Sequence, residues 1–387
     1  MRIVVIGSGF GGLAAAIRLR VQGHDVVVLE KRDKPGGRAY VFERDGFTFD
    51  AGPTIITAPH LLDELFALAG RSRQDYVTLL PLDPFYRVRF EDGTVFECGG
   101  RESDLERQVA ALSAGDLDGY RRFAREARRI FDQAMPLIDA PAESLGSMLR
   151  FAPALLRSRA WTSVAALARR CVGDDRLRRV LSFHPLLIGG NPFDAPALYA
   201  LIPELEKRWG VWCAVGGTGA LVRGMVTLLE EMGAEIRFDA EVGEIVVDER
   251  SRRSTGVRLR AGEAIDADVV VSNADVGLTV AHLQDRRHRR LHRDRTPGRY
   301  RYGMSVFVLY FGTDRRYEEL GHHEIIMGAR YRGLLDDVFR RKILSPDFSI
   351  YLHHPTATDA SLAPPGCDAW YALVPVPHLA GEIDWTV

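Results

Sequence analysis

The chain has 387 residues, of which 46% are hydrophobic and 27% charged, and its formal net charge at pH 7 is −1. This composition is typical of a globular protein with a full apolar core. The near-neutral charge excludes a nucleic-acid-binding protein, which would carry a clear basic excess. The four cysteines are far apart and form no CxxC pair, which is typical of a reduced cytoplasmic protein and argues against a zinc site.

Neither a targeting segment nor a membrane span is expected. Residues 1 and 2 lead directly into the first predicted strand, so we expect no signal peptide. No apolar run approaches the roughly 18 residues that cross a bilayer. We therefore expect a cytoplasmic protein whose association with a membrane is peripheral.

A glycine-rich turn joins the first predicted strand to the first predicted helix. Residues 2–6 are mostly apolar, Gly7-x-Gly9-x-x-Gly12 follows, and the next apolar run ends in Glu30. Gly7 makes the tight turn, Gly9 lets the backbone approach a pyrophosphate, and Gly12 lets helix and strand pack closely. Glu30 has the spacing of a carboxylate that accepts from ribose hydroxyls and repels a 2′-phosphate. The pattern predicts FAD or NAD as ligand, with the phosphates at the helix N-terminus.

Two more turns come next in the chain. Pro35-Gly36-Gly37-Arg38 is predicted to form an open turn beside the cofactor crevice, with Arg38 near a phosphate or a ribose. Residues 47–50 form a short predicted strand that ends in Ala51-Gly52-Pro53. By spacing alone the second of these is an ordinary hairpin.

Taken in order, these motifs resemble the FAD-binding opening of the amine-oxidase-like flavoproteins. The fuller string from Glu30 to Thr54 resembles one branch, the bacterial-type phytoene desaturases of carotenoid biosynthesis. The resemblance extends along the whole chain, and its later parts are residues 182–193, 209–212, 216–221, 272–275, 307–312, 375–379 and 384–385.

The resemblance implies an α/β fold, with a Rossmann-type FAD-binding domain and an α+β substrate domain of mixed sheet plus helices. It implies that residues 1–80 and 210–285 form a discontinuous FAD-binding domain. Residues 81–209 and 286–387 would then form the substrate domain, which is also the membrane-associated one.

The resemblance also implies FAD as the cofactor and assigns residues to it. They lie in the glycine turn, at the end of the second strand, in the two later turns, and on a strand whose backbone edge would meet the adenine. These residues are Gly7, Gly9, Phe10, Gly11, Gly12, Glu30, Lys31, Gly37, Arg38, Gly52, Pro53, Thr54 and Val242.

The implied activity is desaturation of phytoene toward neurosporene or lycopene. One hydrogen of the polyene leaves as hydride to the flavin and one leaves as a proton, and oxygen or a quinone-like acceptor reoxidises the flavin. Two alternatives stay open at this point. One is a related carotenoid or retinoid flavoprotein, such as a 3,4-desaturase, a ketolase or a saturase, and the other is an inactive, membrane-associated remnant.

Two basic stretches bear on membrane contact and catalysis. Residues 147–173 hold five arginines, no acid and Trp161, which is typical of a helix in a lipid headgroup layer or of a helix that caps the substrate cavity. The resemblance places Arg150 near the flavin end of the substrate tunnel and nominates it as catalytic, although Ser147 stands where some relatives carry an acid. The basic segment 286–301 is either a solvated loop or a site of attraction for anionic lipid.

The family continues beyond Val387 with a glycine-rich segment that covers the flavin ring and pyrophosphate. Residues 216–219, Gly-Gly-Thr-Gly, do not replace it because they come at the wrong place in the order of elements. We therefore expect a fragment, or a molecule that works without this lid.

The last third of the chain is predicted to build a second sheet. Residues 302–312 are apolar and rich in β-branched and aromatic side chains, which predicts a central strand with 347–353 and 369–376 as partners. The pairs His322-His323 and His353-His354 are expected to bind no metal, because adjacent residues on a strand point to opposite faces.

Overall fold

The computed structural model describes residues 1–138, 162–283, 285, 287 and 302–385. Its strands are β1 (Arg2–Ile6), β2 (Asp25–Leu29), β3 (Val41–Arg44), β4 (Phe47–Asp50), β5 (Leu79–Pro81), β6 (Tyr86–Arg89), β7 (Val95–Cys98), β8 (Trp212–Ala214), β9 (Glu235–Arg237), β10 (Val242–Val247), β11 (Ser254–Leu259), β12 (Ala264–Asp266), β13 (Val269–Ser272), β14 (Ser305–Thr313), β15 (His323–Ile326), β16 (Ile350–His353) and β17 (Asp368–Val376). Its helices are α1 (Phe10–Val21), α2 (Pro59–Leu68), α3 (Glu102–Leu112), α4 (Leu117–Ile138), α5 (Val164–Cys171), α6 (Asp175–Val180), α7 (Leu201–Trp209), α8 (Gly217–Glu231), α9 (Val276–Leu278) and α10 (Tyr331–Asp336). Of these helices, none has the length and apolar character needed to cross a bilayer.

The chain forms two compact units, each built from separate stretches of sequence. Unit 1 consists of Met1–Leu80, the described part of 212–301, and Ser361–Pro364. Unit 2 consists of the described part of 81–211 together with Tyr302–Ala360 and the described residues from 365 onward. The FAD-binding and substrate roles given to the two parts stay predictions.

Unit 1 is built on a parallel sheet in the order β13-β1-β2-β9. β1 lies between β13 and β2, and Val4 pairs with Val270 on one side and with Val27 on the other. The apolar run that predicts β1 is nearly continuous because both faces of the strand are covered, as is usual for parallel sheets. β9 and β13 come from the distant stretch 235–272, so the first sheet is completed only when the chain returns to it.

Alternate residues of β1 and β2 enter two different cores. Val5 and Val28 pack with helices α1 and α8 on one face of the sheet. Val4 and Val27 pack on the other face against the antiparallel sheet β10-β11-β12, which contributes Val257 and its neighbours. The sheet therefore has a helical layer on one side and a β layer on the other, which confirms the predicted α/β class for this part.

Unit 2 contains a six-stranded mixed sheet in the order β14-β17-β16-β15-β6-β7. β14 pairs with β17 along nine residues, and β16 pairs with β17 on its other side. The prediction that residues 302–312 form a central strand is wrong, because β14 is at the edge of the sheet among the described strands. Its apolar residues Val306, Phe307 and Leu309 are exposed.

A row of rings crosses this sheet at one register position. Tyr310 of β14 lies opposite Tyr371 of β17, which lies opposite His353 of β16, which in turn lies opposite His323 of β15. Tyr86 of β6 follows, with its ring centroid 5.7 Å from that of His323. Cross-strand neighbours on one face of a sheet make direct side-chain contacts, so the row places two histidines in the buried middle of unit 2.

Candidate functional site

The turn between β1 and α1 has a shape that requires glycine at two positions. Gly7 has a φ of +94°, and its N–H donates to the carbonyl oxygen of Leu29 at 2.8 Å. A Cβ on Gly12 would overlap the carbonyl oxygen of Gly7. Gly9 is the N-cap of α1 and brings no side chain to cap the first amides of the helix. These amides are the groups that bind phosphate at a helix N-terminus.

Asn273 lies against the same turn, and the sequence reasoning assigned it no role at the cofactor. Its N–H donates to the carbonyl oxygen of Ile6 at 2.9 Å, just after β13 ends beside β1. A Cβ on Gly11 would lie 2.5 Å from the Oδ1 atom of Asn273, and a Cβ on Gly9 would lie 3.3 Å from its Nδ2 atom. Asn273 belongs to the stretch 272–275 that carries the family resemblance, which is the signal that could have found it.

Glu30 is buried against the glycine turn and binds it directly. Its Oε2 atom accepts from the N–H of Ser8 at 2.9 Å and from the Oγ of Ser8 at 2.8 Å. Its Oε1 atom accepts from the N–H of Arg32 at 3.0 Å. A carboxylate has about four acceptor positions, so these three bonds leave room for one ribose hydroxyl. Glu30 thus also holds the turn in place, a function that the spacing pattern does not predict.

The two later turns close onto the first. The N–H of Gly36 donates to the carbonyl oxygen of Ser8 at 3.0 Å, and a Cβ on Gly37 would lie 3.2 Å from the Cα of Gly9. A Cβ on Gly52 would overlap the carbonyl oxygen of Arg38. The structure therefore brings all three predicted turns together in unit 1. The side chain of Arg38 is exposed and forms an ion pair with Asp275 at 3.1 Å.

The other residues predicted to contact FAD are spread around these turns. Val242 starts β10 two residues after Ala240, whose N–H donates to the carbonyl oxygen of Glu30 at 2.8 Å. Thr54 and Val242 are buried, Phe10 is partly buried, and Lys31 and Pro53 are exposed.

A second glycine-rich helix start, at α8, is already occupied by a carboxylate of unit 1. Asp50, at the end of β4, accepts from the N–H of Thr218 at 2.8 Å and from the N–H of Gly219 at 3.2 Å. A Cβ on Gly217 would lie 2.7 Å from the same carboxylate. Burial raises the pKa of Asp50, and the two backbone amides oppose that effect. The amides at the N-terminus of α8 thus bind the carboxylate of Asp50.

The two basic segments lie largely outside the described residues. Arg150 and the rest of residues 139–161 are outside them, as is most of the segment 286–301. The described end of the first segment is helix α5, which buries Val164 and Leu167 and exposes Arg169 and Arg170.

The rings of His322 and His323 do not point apart as predicted, whereas His354 lies apart from His353 and stacks on Trp370. The ring centroids of His322 and His323 are 4.5 Å apart, and the Nε2 atoms of His322 and His353 are 3.2 Å apart. The expectation is wrong because β15 begins at His323, so the strand rule does not apply to His322. Burial lowers the pKa of the His322, His323 and His353 imidazoles, that of His322 to about 3.

Comparison with known proteins supports the cofactor and the family. The model of the flavin containing amine oxidoreductase family matches residues 10–342. The lycopene-forming phytoene desaturase of Pseudescherichia vulneris is 48% identical, and the alignment covers 99% of this chain and 78% of the relative. The lycopene-forming phytoene desaturase of Pantoea ananas is 46% identical with the same coverage.

A solved structure shares the fold at low identity. The PF1083 protein of Pyrococcus furiosus superimposes with a TM-score of 0.66 at 21% identity, over 97% of this chain and 80% of that one. The predicted family, the α/β fold class and FAD as cofactor are confirmed. The protein belongs to the flavin-containing amine oxidoreductase family and, within it, to the bacterial-type phytoene desaturases.

Proposed function

We propose that this protein is an FAD-dependent desaturase that removes hydrogen from adjacent saturated carbons of phytoene, toward neurosporene or lycopene. The observation that carries this proposal is the 46–48% identity to lycopene-forming phytoene desaturases over 99% of the chain. The aligned region contains both the dinucleotide turn and the unit that we expect to bind the substrate. A related activity on another carotenoid or retinoid remains the second candidate.

The residues of unit 1 fit the pyrophosphate and ribose of FAD. In the proposed arrangement, the first amides of α1 bind the pyrophosphate and the free acceptor position of Glu30 binds a ribose hydroxyl. Gly9 and Gly37 keep the backbone close to the cofactor because neither carries a Cβ. The backbone at Val242 then lies beside the adenine, and Arg38 supplies a positive charge near the phosphates.

When bound, FAD accepts the hydride and so supplies the redox step. The protein's part is to bind the polyene, orient it and exclude water. Apolar side chains on unit 2, such as Phe307 and Leu309, are exposed and available to apolar partners. Burial of apolar area contributes about 25 cal/mol per Å2, so shape and apolar contact are expected to fix the substrate. Arg150 remains the catalytic nomination, outside the described residues.

We further propose a cytoplasmic protein that works at the membrane surface. A lipid-soluble substrate has to be taken from a bilayer. Helix α5 buries one apolar face and exposes Arg169 and Arg170. Basic residues beside apolar ones attract anionic headgroups. Oxygen or a quinone-like molecule at the membrane would reoxidise the flavin.

The decisive experiment is a pigment profile in cells that accumulate phytoene. Expression of the chain is expected to yield coloured polyenes, and their chromatographic identity counts the desaturation steps. Oxygenated products would instead support the ketolase alternative. Unchanged phytoene in the presence of soluble, FAD-loaded protein would contradict the phytoene proposal. Unchanged phytoene with flavin-free protein would support the inactive remnant. Gly12→Ala is the matched negative control, because its defect is confined to the cofactor turn.

A further inference from the structure

Three imidazoles converge in the interior of unit 2, and none of them is among the residues predicted to contact FAD. His323 of β15 and His353 of β16 are directly opposite each other in an antiparallel pair. His322 comes from the turn before β15 and reaches the same point. One ring nitrogen from each of the three lies within 4.8 Å of the others, and all three side chains are buried.

The outer nitrogens of two of these rings already have partners. The Nδ1 atom of His322 is 2.7 Å from the Oγ1 of Thr358, and the Nδ1 atom of His323 is 2.7 Å from the hydroxyl of Tyr351. A hydroxyl can accept a proton from Nδ1, and in that tautomer Nε2 keeps the lone pair that a metal-binding histidine needs.

The inner nitrogens are left without enough partners. The Nε2 atom of His323 is buried and has no hydrogen-bond partner among the described residues. The Nε2 atoms of His322 and His353 are 3.2 Å apart and share one proton at most. Buried polar atoms are nearly always bonded, so an unpartnered nitrogen on a ring that packs against two other imidazoles indicates that something else binds there.

We propose that His322, His323 and His353 bind a divalent transition metal ion of the kind that imidazole ligands favour, with Zn²⁺ as the reference ion. Zinc–nitrogen bonds of 2.0–2.1 Å at tetrahedral angles separate ligand nitrogens by about 3.4 Å. The pair His322–His353 is already close to that value. The most distant nitrogens, within 4.8 Å of each other, move inward by roughly 1 Å on binding, which small χ rotations of a ring allow.

Three protein ligands leave a fourth position for water or another small ligand. The ion would join β15 to β16 and both to the turn that carries His322. None of the three histidines is among the residues proposed to bind FAD, so the evidence for this site does not rest on the proposed cofactor site.

The test uses the untagged full chain, because a polyhistidine tag would bind metal itself. The protein is stripped with chelator, incubated with Zn²⁺, passed through a desalting column and analysed for metal by mass spectrometry. We expect one Zn²⁺ per chain. Co²⁺ in place of Zn²⁺ is expected to give the visible d–d absorption of a tetrahedral site, and this readout needs no variant.

Variants then assign the ligands. His323→Gln and His353→Gln are expected to lose the retained ion and the increase in melting temperature that Zn²⁺ gives the wild type. His354→Gln is the matched control, because it is buried next to His353 but lies outside the cluster. A wild type that retains no ion and shows no Co²⁺ spectrum would overturn the proposal. So would retention of the ion by folded His323→Gln and His353→Gln proteins.

Discussion

Replacement of Glu30 by alanine is expected to destabilise unit 1 even without cofactor. The Glu30 carboxylate accepts two bonds from Ser8, which is fully buried, and one from Arg32, which is exposed. The Arg32 amide regains water in the variant, whereas both Ser8 donors lose their acceptor. Each bond to a charged acceptor contributes about 1.5–3 kcal/mol, so the two together predict a loss of about 3–6 kcal/mol. That is a large part of the 5–15 kcal/mol typical of a domain.

Glu30→Gln separates the loss of the negative charge from the loss of the hydrogen-bond acceptor. The amide keeps its oxygen toward Ser8, which has two donors, and turns its NH₂ toward the N–H of Arg32. Both Ser8 bonds remain, but to a neutral acceptor, at about 0.5–1.5 kcal/mol each in place of 1.5–3, so the expected loss is about 2–3 kcal/mol. Both variants remove the acceptor proposed for the ribose. Loss of one such bond predicts FAD binding that is roughly 10- to 100-fold weaker.

The measurement is urea unfolding of the cofactor-free protein, followed by hydrogen exchange at the amides of β1 and β2 so that unit 1 is observed separately. FAD affinity is measured by fluorescence titration. Glu43→Gln is the control, since it makes the same charge change on an exposed strand, where the ion pair of Glu43 with Lys34 is at the surface. A Glu30→Ala protein within 1 kcal/mol of the wild type would refute the bonding described here. Unchanged FAD affinity would remove Glu30 from the proposed cofactor site.

Three further predictions concern single positions. Gly12→Ala is expected to purify without flavin absorbance, because its Cβ overlaps a backbone oxygen, whereas Gly115→Ala, which has nothing within 4 Å, is expected to match the wild type. Asp50→Ala is expected to lower the free energy of unfolding by about 1–2 kcal/mol in urea titrations, through loss of the cap on α8. The Arg176 guanidinium holds the pKa of Asp174 below its usual value. The stabilisation is therefore present above the unfolded pKa of about 3.9 and lost as the pH falls below it. Melting temperatures of Asp174→Asn are thus expected to fall less than those of the wild type between pH 5 and pH 3.

Each of these has an outcome that would contradict it. Flavin retained by Gly12→Ala would mean that the turn can open without losing the cofactor. Equal stability of Asp50→Ala and the wild type would mean that water caps α8 just as well. Parallel acid melting curves for wild type and Asp174→Asn would mean that the ion pair at this helix start contributes nothing measurable.

The cofactor turn is predictable from the sequence because its features are local. Gly7, Gly12 and Glu30 lie within thirty residues. Each position in this motif needs one residue type, and few other structures need the same types at the same spacing. Ser8 is not predictable in the same way, since a small polar residue in a turn has many possible partners and its acceptor is 22 positions away. The contact of Asn273 with the turn depends on β13 pairing with β1, which is a tertiary event.

The predictions that failed concern the histidine pairs and the position of β14. They depend on where a strand begins or ends and on which strands pair with it. The histidines were expected to diverge because both members of a pair were assigned to one strand, and the strand in fact begins between them. The apolar character of β14 indicates contact with other apolar groups but does not say which. The hydrogen bond from Thr218 to Asp50 joins residues 168 positions apart, and no local sequence pattern predicts it.

The edge position of β14 has a practical consequence for work with the purified protein. In an edge strand, alternate residues direct their N–H and C=O groups outward, and here exposed Val306, Phe307 and Leu309 lie beside them. A strand of this kind accepts another strand readily. In a concentrated preparation, the strand most often available for this pairing belongs to a second copy of the same chain. Light scattering should therefore rise with protein concentration and fall when a mild detergent covers the apolar side chains.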